Sequence, residues 1–345
     1  MPTIIPAIER PSGSPTVNGE ISLIDSLVIP VGAVYYSAGS NIRLFWSNHN
    51  YIARFENAGT IWNASTANVS AAVTGFYIGD FYNSGTIAGV TDSGNAYGFS
   101  VLGDGSSVEN SGRIFALTGN GNATAVELWS SASPFLNTGT IAAQATNGTM
   151  HGVGGAVAIA GYNGLALRNG ASGRILAEGL SATAIIMGHG GSGSNAAEVY
   201  NQGLIEARSL TDAQSVGIHM GHLANAPARV INEGTIRADI AVMFEEQTDD
   251  PYSAGGGVLL NLAGGLIVGA VQGDTGPDVF TNLGTLTGNV RLGEGADFFD
   301  TAAGTWNGYG DLGWGDDLFL GSAQADVVRG DRGDDILRGN GGNDL

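Results

Sequence analysis

One short pattern recurs along most of this chain and restricts its fold more than any other feature. Between residues 55 and 286 the sequence reads apolar-x-Asn-x-Gly-x-Ile nine times, centred on Asn57, Asn83, Asn110, Asn137, Asn169, Asn201, Asn232, Asn261 and Asn282. The residue two before each Asn is Phe55, Phe81, Val108, Phe135, Leu167, Val199, Val230, Leu259 or Phe280, apolar at every copy. Seven copies place Ile or Leu four residues after the Asn, and the Asn169 and Asn261 copies insert two residues before Ile175 and Ile267.

The steps between these Asn residues are 26, 27, 27, 32, 32, 31, 29 and 21. A period in this range marks a solenoid, in which each unit buries its apolar face only against its neighbours. Within a unit the apolar residues alternate with period two, as in strands. A further apolar run lies between successive motifs, as in Ala123–Val126, Gly155–Ile159, Ala182–Ile186 and Ser215–Ile218. About three short strands per unit fit these lengths. The expected fold is all-β, a right-handed parallel β-helix with about three short strands per coil. Stacked Asn side chains would hydrogen-bond up one corner. The Gly beside them would supply a left-handed φ at the turn.

Residues 1–50 lack the motif and carry Pro6, Pro11 and Pro15. A solenoid end exposes strand edges, so an N-terminal cap with the first irregular coil is expected there. Residues 51–290 form the regular β-helix, and residues 291–345 form a third region of different character. The acids concentrate near that end: residues 271–345 hold 13 of the 32 Asp and Glu. The chain has 13 basic residues, all Arg, and a net charge of −19. That charge repels phosphate and argues against nucleic-acid partners, and it attracts cations. Without Cys there is no disulfide, thiolate zinc site or thiol nucleophile. No apolar run reaches the length of a membrane span.

At the C-terminus the period falls to nine. The blocks are Leu312–Leu320, Gly321–Arg329, Gly330–Arg338 and Gly339–Leu345. Their sixth positions are Asp317, Asp326, Asp335 and Asp344, and the eighth positions of the complete blocks are Phe319, Val328 and Leu337. This run resembles the G-G-x-G-x-D-x-U-x repeat of RTX (hemolysin-type) proteins, whose Gly-rich turns bind calcium and stack into a β-roll. Carbonyls exposed by the turns and short Asp carboxylates suit a hard cation. The resemblance implies that the β-helix narrows into a β-roll. It pairs Asp317 with Asp335 and Asp326 with Asp344 around calcium. The block from Gly321 to Asp326 departs from the pattern, with Gln324 in place of the fourth-position Gly. Asp278 and Asp297, 39 and 20 residues before Asp317, sit in Gly-rich turns at a wider spacing and are further candidate ligands.

RTX proteins leave Gram-negative cells by type I secretion, with a signal after the repeats. The resemblance therefore implies an extracellular or cell-surface protein that folds on meeting calcium. The N-terminus, Met1–Pro6, lacks the basic and apolar regions of a Sec signal, in keeping with that route. Aligning the coils also gives one mixed polar column, Asp80, Asp104, Ser130, Tyr162, His189, His222 and Glu246, with His219 nearby. Tyr162, His189, His222 and Glu246 are the candidate acid/base residues, as for a sugar substrate. Two readings stay open. β-Helices with RTX tails resemble polysaccharide lyases and uronate epimerases. Regular Asn-x-Gly-x-Ile coils resemble autotransporter-type adhesins and surface layers. The preferred expectation is a calcium-dependent structural or adhesive protein whose partners are further copies of itself or cell-surface glycans.

Overall fold

The computed structural model describes residues 19–20, 24–39, 42–66, 69–101, 107–129, 134–147, 155–162, 165–188, 197–221, 227–245 and 256–345. Among these the regular elements are strands, joined side by side into one parallel sheet system. Each coil has three faces. The first ends in the repeat Asn, as in Ser107–Asn110, Pro134–Asn137 and Ala166–Asn169. The second follows the Gly, as in Arg113–Thr118, Thr140–Ala145 and Arg174–Gly179. The third is the intervening apolar run, as in Ala123–Leu128, Ala156–Gly161 and Ala182–Met187. Every face pairs in parallel with its counterpart one coil on, so the sequence repeat becomes a structural one. On the first face twelve successive pairings link Ile24–Ile29 to Ile336–Arg338. At about 4.8 Å per step this is a rod roughly 60 Å long.

The apolar positions of the motif build the core. Phe55, Phe81, Val108 and Phe135 on the first face, and Ile61, Ile87, Ile114 and Ile141 on the second, are all at most 1% exposed. Between the second and third faces the interior is thin and lined by small residues, Ala116, Ala143 and Ala177 against Ala125, Ala158 and Ala184. The Asn residues form an unbroken ladder. Asn57 Nδ2 donates to Asn83 Oδ1 at 2.7 Å, and the same bond, 2.7–2.8 Å, repeats through Asn110, Asn137, Asn169, Asn201, Asn232 and Asn261 to Asn282. Asn282 closes it by donating to Thr301 Oγ1 at 3.0 Å.

The Gly of the motif is needed for a different reason from the expected one. Gly85, Gly112, Gly139 and Gly234 are absent from the glycines with positive φ. A Cβ on any of them would instead run into the backbone of the glycine one coil below, Gly59, Gly85, Gly112 and Gly203 respectively. Stacked corners approach too closely for a side chain. The coils also start earlier than the motif. Leu27 pairs with Phe55 and Ile29 with Asn57, so a buried Ile29 occupies the Asn position of the first coil.

The rod changes cross-section near its end. The second face stops at Thr305–Asn307, and from Leu318 on there are two strands per turn of the chain. Trp306 plugs the place where the second face ends. Its ring lies edge-on to Phe299 at 5.0 Å and Phe319 at 5.9 Å, and its Nε1 donates to the Gly288 carbonyl at 3.0 Å.

Candidate metal site

From Asn169 on, the residue four before each ladder Asn stands at a corner of the coil. Along the middle of the rod that residue is Leu165, Ala197 or Ala228, each at most 4% exposed, and then Gly257. From the next coil on it is Asp278, Asp297, Asp317 and Asp335. Asp278, Asp297 and Asp317 are 0%, 2% and 2% exposed, so a line of carboxylates occupies a core position.

Each carboxylate is held by the coil before it. Asp278 Oδ1 accepts from the Gly257 N–H at 2.5 Å, Asp297 Oδ1 from Asp278 N–H at 2.8 Å, Asp317 Oδ1 from Asp297 N–H at 2.9 Å, and Asp335 Oδ1 from Asp317 N–H at 3.1 Å. On the other edge of the narrow coils Asp344 Oδ1 accepts from Asp326 N–H at 3.1 Å. The structure therefore stacks Asp317 with Asp335 and Asp326 with Asp344, and joins Asp278 and Asp297 to the first column. Asp297 Oδ2 and Asp317 Oδ2 are buried and meet no donor.

The turns that carry these residues share a backbone form. At the second turn position Gly293, Gly313, Asp331 and Asn340 have φ of 110°, 103°, 79° and 66°. At the fourth, Gly295, Gly315, Gly333 and Gly342 have φ of 135°, 139°, 139° and 115°. Asp and Asn are the side chains that tolerate the left-handed region, and they stand where Gly is missing. A methyl on Gly315 or Gly333 would strike the carbonyl of Gly295 or Gly315, the fourth-position glycine one coil below. The departure at Gln324 is real in three dimensions: no residue from 321 to 326 has positive φ. There Ser322 donates its N–H to Asp326 Oδ2 at 2.7 Å and its hydroxyl to Asp326 Oδ1 at 3.2 Å. Motif reading finds the missing Gly but not the serine that replaces its role.

Burial drives the acidity of this column. The Asp278 carboxyl is pushed up to about 8, mainly by desolvation and then by neighbouring Asp274. The Asp297 carboxyl is pushed up to about 7, again by desolvation, with Asp317 and Asp274 adding repulsion. Asp317 and Asp326 shift the same way for the same leading reason. A raised folded pKa means that the folded chain holds protons the unfolded chain has released. Stability without a cation is therefore greatest below the ordinary Asp pKa and is lost as pH rises from about 4 through 8. In chelator, the melting temperature is expected to fall between pH 5 and pH 8, and saturating calcium is expected to remove the share of that fall owed to Asp297 and Asp317 and to leave the share owed to Asp278. Circular dichroism melts at the two pH values check both.

Among the described residues no group of three or more His, Cys, Asp or Glu side chains converges as a side-chain metal cage. A cation here must draw on turn carbonyls together with the orphaned carboxylate oxygens, a donor set that fits calcium and not zinc. The last 35 residues settle the character of these turns, because residues 311–345 match the RTX calcium-binding nonapeptide repeat, in four copies. This segment is a run of RTX repeats. No curated protein and no solved structure matches the chain. RTX repeats bind calcium, and this chain is a calcium-binding protein whose β-helix leads into them. Of the eighth-position apolar residues, Phe319 is buried, Val328 is half-buried and Leu337 is 46% exposed.

Of the polar column, Asp80 and Tyr162 are among the described residues. His189, His222 and Glu246 lie outside them, as do Asp104 and Ser130. Tyr162 follows Gly161, which pairs with Met187. Its ring stacks on Trp129 at 4.0 Å and 15°. His219 lies on the third face, 4% exposed, with Nε2 2.5 Å from Glu245 Oε2. Among the described residues no helix is long and apolar enough to cross a membrane.

Proposed function

We propose that this protein is a secreted structural or adhesive rod of the cell surface or extracellular matrix, completed by calcium. RTX repeats are typical of type I exported proteins, and calcium outside the cell would then close the final coils. The observation that carries the reading is the Asp column itself. The rod continues its core with the buried carboxylates of Asp278, Asp297 and Asp317, and two of these keep an oxygen without a donor, a need that a cation would meet.

The outer side of the Asn face supplies a contact surface. Two open cavities, of about 330 and 600 Å3, share Glu109, Leu136 and Thr138 and so form one groove along the rod. Arg54 lies 4.6 Å over the ring of Tyr82, and Arg168 5.2 Å over the ring of Tyr200. Flat rings beside carboxylates and hydroxyls match the apolar faces and hydroxyl rims of sugars, which supports glycans as the adhesive partner. The polysaccharide-active alternative has its acid/base candidates at Tyr162, His189, His222 and Glu246.

The test is light scattering, together with retention on polysaccharide-coated beads, as calcium is titrated upward from chelator. Chelator-reversible growth into large particles, or calcium-dependent retention, is the expected result. A chain that takes up calcium yet stays monomeric and unretained overturns the structural or adhesive reading.

A further inference from the structure

We infer that a calcium ion binds between the turns 292–297 and 312–317, one coil outside the RTX repeats, held by Asp297, Asp317 and the turn carbonyls. The inference rests on the reading that the RTX turns themselves hold calcium, and extends it to a turn that the repeat match, residues 311–345, leaves out.

Two observations carry it. The first is backbone form. Gly293 pairs with Gly313 and Glu294 with Trp314, and φ at the second and fourth positions agrees within a few degrees, 110° and 135° against 103° and 139°. The turn outside the repeats therefore presents its peptide groups as the turn inside them does. The second is the state of the carboxylates. Asp297 spends Oδ1 on the Asp278 N–H, and Asp317 spends Oδ1 on the Asp297 N–H. The second oxygen of each is buried and has no donor, in residues only 2% exposed. A buried acceptor left unmade is unfavourable, and a charged one more so. A hard dication between the two turns satisfies both.

The same criteria exclude the neighbouring turn. Asp278 spends Oδ1 on Gly257 N–H and Oδ2 on Asp274 N–H at 3.1 Å. Gly276, at the fourth position of that turn, is not among the positive-φ glycines. Asp278 is thus closed by backbone donors, and the line of ions ends at Asp297.

Titration calorimetry with calcium on the full chain tests this. Asp297→Asn is expected to bind one ion fewer than wild type, or to bind it at least tenfold more weakly. Asp278→Asn is expected to bind the wild-type number. Asp317 would face two ions, one shared with Asp297 and one with Asp335, so Asp317→Asn loses two equivalents. That count stands even if the Asp297 variant folds poorly. A loss of one equivalent from Asp317→Asn, or an Asp297→Asn protein that binds like wild type, would overturn the inference. A wild-type chain that takes up no calcium would instead remove the RTX reading beneath it.

Discussion

Asn201→Ala is expected to destabilise the calcium-loaded rod by about 4 kcal/mol, more than any single change on its outer surface. The side chain is fully buried and serves two neighbours at once. Its Oδ1 accepts from Asn169 Nδ2 at 2.8 Å and from the Gly203 N–H at 3.2 Å. Its Nδ2 donates to Asn232 Oδ1 at 2.8 Å and faces the carbonyls of Gly203 and Thr235. Alanine leaves Asn169 Nδ2 only its longer contacts to the Gly173 and Leu204 carbonyls, at 3.3 and 3.4 Å, and takes from Asn232 Oδ1 its ladder donor, each at roughly 1–3 kcal/mol. Urea unfolding in saturating calcium measures the loss. Glu109→Ala, on the exposed side of the same face, is the control and is expected to stay within about 0.5 kcal/mol of wild type. A loss below 1 kcal/mol at Asn201 would mean that the ladder accompanies the stack without holding it.

Calcium removal is expected to have the other large effect, confined to one end of the rod. Coils with Leu165, Ala197 or Ala228 at the inward corner bury a continuous apolar core and need no ion. Beyond Trp306 the second face is gone, and with two strands per turn each turn buries less apolar surface than a three-faced coil. Against that small gain stand Asp297, Asp317 and Asp326, buried carboxylates that raise the free energy of the closed state at neutral pH. Each ion at a hundred times its dissociation constant contributes about 2.7 kcal/mol to the folded form. In a solenoid such terms act through nearest neighbours, so the loss on chelation spreads inward from residue 345 and stops where the apolar core takes over. Trp306, wedged between Phe299 and Phe319, marks that boundary.

Much of this was legible in the sequence, because a solenoid repeats its instructions. The inward residues at two before and four after each Asn, and the amide ladder, follow from a pattern shown nine times over. What was hidden lies where the pattern is replaced rather than repeated. Ile29 takes the place of the first Asn, Thr301 accepts the last ladder bond, and Ser322 holds Asp326 where a glycine turn is missing. The motif glycine was readable, but its cause was not, since close approach between coils is invisible along one chain. The spacing of the four column Asp residues pointed to a cation. Only the shared corner shows that they continue the line of Leu165, Ala197 and Ala228.

Hydrogen exchange with mass-spectrometric readout, in calcium and in chelator at pH 7.5, tests the central claim most directly, because it locates the change along the chain. The expected result is amide protection over residues 311–345 that is present in calcium and falls at least a hundredfold in chelator, while residues 107–261 exchange alike in both. Equal protection of residues 311–345 with and without calcium would contradict the account, for the Asp column would then close on its own and the rod would need no cation to be complete.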